Sequence, residues 1–132
     1  MSKILSKSDI LESADLRVAI VEVPEWGGSV RVRSLTGTER DAFESTLVRL
    51  IDGKRVPDLE NLRAKLLAAT IVDERDQQLF TVSDLSALGR KSAVALDRVF
   101  VAAQRLNGLQ ADAVEESVKN SVPGPSDGST FA

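Results

Sequence analysis

The side chains able to do chemistry in this sequence are carboxylates, amines, guanidiniums and hydroxyls, because it holds no His, no Cys and no Tyr. That removes the commonest general base and the commonest metal ligand. Ser-His and Cys-His nucleophile pairs are impossible, and so are disulfides and thiolate metal sites. A Ser-Lys pair would need S-x-x-K spacing, which does not occur. No paired arrangement of carboxylates or lysines stands out. An enzyme is the weakest reading, and neither a metal nor a cofactor is expected.

The remaining candidates are few. Asp73, Glu74 and Asp76 have the composition of a Ca²⁺ loop, but not its frame of alternating oxygens, bend glycine and distant Glu. A solvated hairpin turn is the plainer account. Gly89-Arg90-Lys91-Ser92 echoes the end of a phosphate-binding loop. That loop needs Gly where Asp84 stands and Lys where Arg90 stands. Arg90, Lys91, Arg98 and Arg105 give a long helix a basic face, with Asp97 its one acid. Phosphate or an acidic protein partner suits such a face. A solvated surface explains it more simply, since no aromatic platform interleaves with the charges. Trp26 sits in a turn, where it can contact a partner or fold back over its own strands; both readings stay open. Val122 and Phe131 are apolar residues in a polar tail. They are either stray or partner-docking.

Elements must hold these side chains, and the block Val21–Glu44 carries the strongest local signals. Val21 and Val23 alternate with Glu22, and Val30 and Val32 alternate with Arg31 and Arg33. A period of two reads as two half-buried strands. Pro24 ends the first strand because it has no N–H for a ladder. Gly27 and Gly28 can take the positive φ that a hairpin loop needs. The hairpin is placed at 17–33, after a lead-in at 1–16 in which Ser8 caps a short helix. Thr36-Gly37-Thr38-Glu39 fits a capping box and opens a helix over about 36–51. Its stripe is Phe43, Leu47, Leu50 and Ile51, and Gly53 serves as C′ glycine.

A second helix, 58–72, carries Leu59, Leu62, Leu66, Ala69 and Thr70. Asp73–Gln78 is then the turn of a small second hairpin that returns through Leu79–Val82. Ser83 or Asp84 caps a short helical piece to Leu88. The longest helix, 90–106, lines up Ala93, Leu96, Val99, Phe100, Ala103 and Leu106, and ends at Asn107-Gly108. A last helix is expected at 110–119. Residues 120–132, rich in Pro, Gly and Ser, have too little apolar surface to offset their ordering entropy and read as a flexible tail.

At 132 residues and 42 % hydrophobic, the chain fits one domain, 17–119, with a real core. With aromatics at 4 %, that core is mostly Leu, Val, Ala and Ile. A net charge of −3 argues against a dedicated nucleic-acid binder. The longest apolar run, Val99–Ala103, falls far short of the roughly 20 residues of a membrane span. The opening MSKILSKSD lacks the apolar region of a signal peptide. A soluble cytoplasmic protein is expected. The fold class is expected to be α+β and mostly α: an N-terminal hairpin, three to four helices, a small second hairpin and a disordered tail.

The run VEVPEWGGSVRVRSLTGTERDAFE resembles the N-terminal part of the tail assembly chaperones of long-tailed bacteriophages. There a V-x-V-P-E-W-G hairpin leads to V-x-V-R-x-L-T-G-x-E-R-D at a helix start. Val21, Val23, Pro24, Glu25, Trp26 and Gly27 match the first half. Val30, Val32, Arg33, Leu35, Thr36, Gly37, Glu39, Arg40 and Asp41 match the second. Further on, Asp73, Leu79, Phe80, Thr81 and Asp84, then Leu106–Leu109 and Lys119–Ser121, are similar to the family more loosely. The turn Glu74–Gln78 departs from it, since many relatives carry a Gly there.

The resemblance implies a non-enzymatic factor that keeps the tape measure protein soluble until the tail tube polymerises around it. It implies contacts with tape measure and tail tube subunits, action in the host cytoplasm, and absence from the finished virion. Self-association is open to it. The family often occurs in a short form and a frameshift-extended form, and a Pro/Gly/Ser tail suits the short one. The alternative is a tail or head–tail component retained in the virion. A small DNA-associated regulator using the basic helix is the lesser alternative.

Overall fold

The computed structural model describes residues 2–109. The expected helix 110–119 and the tail 120–132, with Val122 and Phe131, lie outside the described residues.

A short helix, α1 (Lys7–Leu11), opens the chain. Ser6, not Ser8, caps it: Ser6 Oγ accepts the Asp9 N–H and the Asp9 carboxylate accepts the Ser6 N–H. None of its residues is buried.

Strands β1 (Val18–Val23) and β2 (Gly28–Arg33) form an antiparallel hairpin with Val21 opposite Val30 and Ala19 opposite Val32. This register puts Val23 and Val32 into the core, both fully buried. A 3₁₀ turn, Pro24–Trp26, joins the strands, and Gly27 closes it at φ +78°. That left-handed conformation is open to glycine without steric cost.

Helix α2 (Gly37–Ser45) starts on the capping box that the spacing predicts. The Thr36 hydroxyl accepts the Glu39 N–H at 3.1 Å, and Glu39 Oε1 accepts the Thr36 N–H at 2.9 Å. Arg33 also donates to the Glu39 carboxylate, at 2.8 and 3.0 Å, so the end of β2 is tied to the first turn of α2.

The expectation of a mostly helical fold is corrected here. Helix α2 stops at Ser45, and the segment read as its end is instead a strand, β3 (Val48–Ile51), which forms a hairpin with β4 (Lys54–Pro57) beyond it. Ile51 pairs with Lys54, leaving Asp52-Gly53 as a two-residue turn with φ of +52° and +76°. Positive φ at both positions is the type I′ geometry that Asp-Gly favours, because its twist matches the strands. Phe43 and Leu47 of the expected stripe are buried, but Leu50 is 71 % exposed. With this hairpin and a three-stranded sheet, the described residues form a mixed fold holding two antiparallel sheets.

Helix α3 (Leu62–Thr70) begins after Asn61, which takes a left-handed φ of +56°. The Asp58 N–H is spent on the Leu47 carbonyl at 2.7 Å, outside any helix. The chain then runs directly into β5 (Ile71–Val72), which pairs with β2 to complete the sheet order β1-β2-β5. The expected second hairpin reduces to a single bridge, Val72 to Gln78. Asp76 takes φ +64° in its turn, so an Asp supplies the left-handed residue where a Gly would be easiest.

A 3₁₀ turn, Val82–Asp84, leads into α4 (Leu85–Gly89). Ser92 then caps α5 (Ala93–Leu106). Its C-terminus is a Schellman motif: Gly108 at φ +67° donates to Arg105, and Leu109 donates to Gln104 at 2.7 Å. The reversal buries Leu109 in the core. Helix α5 lies across β1 and β2 and packs on α3. Leu66, Leu67, Val99 and Ala103 fill the space between them.

Candidate functional site

The side chains singled out for chemistry are largely engaged in holding the fold. Asp73 organises its own turn: Oδ1 accepts the N–H groups of Arg75 and Gln77 at 2.8 and 3.0 Å. Asp76 accepts from Arg31 Nε at 2.8 Å, linking that turn to β2. The Arg31 hydrogen bond holds the Asp76 carboxyl below its ordinary value and raises the guanidinium in return. Among the described residues, no group of three Asp or Glu is arranged to hold a metal ion.

Gly89 ends α4 beside the start of α3, and a Cβ there would stand 2.9 Å from Asn61 Oδ1. It is a point of close packing between two helix ends. Arg90 donates to Ser86 Oγ at 3.0 Å.

The four basic residues do not converge. Arg90 and Lys91 precede the first residue of α5, and Arg105 lies in its last turn. That spreads them over about 20 Å of helical rise. Arg98 donates to both oxygens of Glu25, at 3.0 and 3.1 Å. Asp97 is paired with Arg63, whose guanidinium also lies 5.7 Å from the Phe100 ring centre. Trp26 is half-buried and packs against the core from the 3₁₀ turn. Its neighbour Glu25 is the residue Arg98 grips, so the whole turn is drawn onto α5.

An apolar groove of about 380 Å³ opens between α2, α3 and the segment entering α4. Ala42 and Phe43 come from α2, Ala68 and Ala69 from α3, and Phe80 and Leu85 from the third segment. Polar ties link α3 to both of the other walls. Lys65 Nζ donates to the Thr46 carbonyl at 2.8 Å, and Gln78 Nε2 donates to the Ala68 carbonyl at 3.0 Å. Small residues beside aromatic rings suit an aliphatic side chain inserted from outside. Val82, at the lip, is 83 % exposed. Nothing local in the sequence marks this groove, because its walls come from three separate stretches. The one available signal is the alanines of α2 and α3, which leave room on faces otherwise filled by larger residues.

Other apolar side chains also face outward. Ile4, Leu5, Ile10 and Leu11 are exposed around α1, and Leu50 and Ile51 are exposed on β3. No described helix is long and apolar enough to cross a membrane. The described surface thus holds an apolar groove, an exposed apolar N-terminal turn and a clamped hairpin.

A family model described as phage tail assembly chaperone matches residues 9–120. The match spans the hairpin, the groove and α5. No curated protein and no solved structure matches the chain.

Proposed function

We propose, from the premise that this chain belongs to the phage tail assembly chaperone family and so takes part in tail assembly, that it acts by binding and not by catalysis. Its client is the tape measure protein, which it keeps soluble in the host cytoplasm until tail tube subunits close around it. The chain then leaves and is absent from the virion.

The observation that carries this reading is the groove between α2, α3 and the Phe80–Leu85 segment. The client is read as a long helical protein. Before assembly its apolar stripes need cover. An amphipathic helix docks by placing i, i+3 and i+4 apolar side chains into such a groove. Glu39 and Lys65 also line the groove, but both are engaged within the chain, by Arg33 and by the Thr46 carbonyl, so the apolar walls are what a partner helix meets. Tail tube subunits are the second partner, met when the tube polymerises along the chaperoned client.

Co-expression with the tape measure protein of the same phage tests the reading. The client is expected to move into the soluble fraction and to co-purify with this chain. An insoluble client, with nothing retained, would sink it. Mass spectrometry of purified particles separates it from a retained tail component. Stoichiometric copies in the virion would favour that alternative.

A further inference from the structure

The edge of β1 and the flank of α5 beside it form a self-complementary surface. Among the described residues, no segment pairs with the outer side of β1. Ser34 donates to the Arg17 carbonyl at 2.8 Å, which sets the phase of the β1–β2 ladder. In an antiparallel ladder with that phase, Ala19, Val21 and Val23 bond inward to β2. Val18, Ile20 and Glu22 then turn their N–H and C=O groups toward the open edge.

Natural edge strands are commonly blunted by Pro, charged side chains, a bulge or a covering segment. This strand, VAIVEV, has no Pro and no Lys, carries a single charge at Glu22, and its pairing register runs unbroken from Val18 to Val23. Ile20 is 62 % exposed on its outer face. Beside the same edge, a shallow groove is lined by Val21, Glu22, Val94, Asp97, Arg98 and Val101. Val94 and Val101 are 60 % and 43 % exposed. They lie seven residues, or two turns, apart on α5, so they share a face.

We propose that this surface is a two-fold interface with a second copy of the chain. The occupant follows from the symmetry of both elements about one axis. Two β1 strands can pair antiparallel, centred on Ile20 or Val21. Either register keeps the core faces of both sheets on the same side, as the pleat requires. The result is one continuous sheet of order β5-β2-β1-β1-β2-β5.

The same axis sets the two α5 helices antiparallel. Val94 then faces Val101 of the second copy, and Asp97 faces Arg98 of the second copy. Opposite charges meet at the centre with an aliphatic contact on either side. The Arg63–Asp97 and Glu25–Arg98 pairs extend this into one charge network across the axis. A foreign strand would satisfy the edge of β1 but has no reason to match the helix stripe.

The test uses the full chain, which contains no Cys, so a single introduced thiol can cross-link only between copies. Ile20→Cys treated with a short bis-maleimide should give covalent dimer at micromolar concentration. Val82→Cys, more exposed but on the groove side, should not. Failure of Ile20→Cys to cross-link, or equal cross-linking at Val82→Cys, overturns the proposal.

Sedimentation supplies a second readout. The wild type should be dimeric at tens of micromolar. The Ile20→Lys/Val101→Asp variant should sediment as a monomer with an unchanged far-UV circular dichroism spectrum. A monomeric wild type, as expected if another segment of the chain covers the edge, contradicts the interface. So does a folded variant that stays dimeric.

Discussion

Arg98, in the middle of α5, holds both carboxylate oxygens of Glu25 at 3.0 and 3.1 Å across 73 positions of sequence. At the other end of the hairpin unit, the Leu35 N–H donates to Asn107 Oδ1 at 2.6 Å. Asn107 in turn donates to the Ala103 carbonyl, so it belongs rigidly to the end of α5. The hairpin is thus clamped along α5 at its turn and at its exit into α2. The block that carries the family resemblance is a single unit with the longest helix.

Arg98 holds the Glu25 carboxyl below its ordinary value of 4.5, and Arg31 holds Asp76 below 3.8. Each group binds its proton more weakly folded than unfolded, so its contribution is fully present above the unfolded value. It is lost as pH falls through the lower folded value. Stability measured by urea denaturation should therefore decline once pH drops toward 4. With no His in the chain, it should change little between about pH 6 and 7. The Glu25→Gln/Asp76→Asn variant should show a shallower acid slope. An unchanged slope would mean that neither pairing persists in solution.

Trp26→Ala should destabilise the domain. The ring is half-buried against the core, so the loss should be about 2 kcal/mol, below the 3–5 kcal/mol of a fully buried aromatic. In a domain of this size that lowers the melting temperature by roughly 10 °C. Thermal melting by circular dichroism reads it. A melt within 2 °C or so of the wild type, with partner binding lost, would instead make Trp26 a contact residue.

The β3–β4 hairpin makes an opposite pair of predictions at neighbouring leucines. Leu47→Ala should cost about 2–5 kcal/mol, because the side chain is fully buried. Leu50→Asp should stay within about 0.5 kcal/mol, because Leu50 faces solvent. Gly53→Ala should cost about 1–2 kcal/mol through its positive φ. A helix running to Ile51 would reverse the second result, since Leu50 would then share the buried stripe.

That hairpin also shows where the sequence is legible and where it is not. Thr36 and Glu39 specify a helix start through a three-residue contact, and the structure realises both of its hydrogen bonds. Val21, Val23, Val30 and Val32 specify two strands by period alone. Phe43, Leu47, Leu50 and Ile51 also fit a helical period, but Val48 and Leu50, alternating about Arg49, suit a strand as well. Asp52-Gly53 decides the matter, being a stronger hairpin signal than a helix stop. At the turn after β5, Asp76 takes the left-handed conformation with its carboxylate fixed by Arg31, a tertiary contact that no local pattern announces. The groove is illegible for the same reason: Phe43, Ala69 and Phe80 meet only once α2, α3 and the turn are assembled.

The most direct test of the account is the affinity of the purified chain for its tape measure protein, compared between the wild type and Ala42→Lys/Val82→Lys. Both side chains are exposed and line the groove, so the substitutions should leave the fold and its melting temperature intact. The account predicts binding by the wild type and a loss of at least about tenfold, or ~1.4 kcal/mol, in the variant. Equal binding by the two, or none by the wild type, would contradict it.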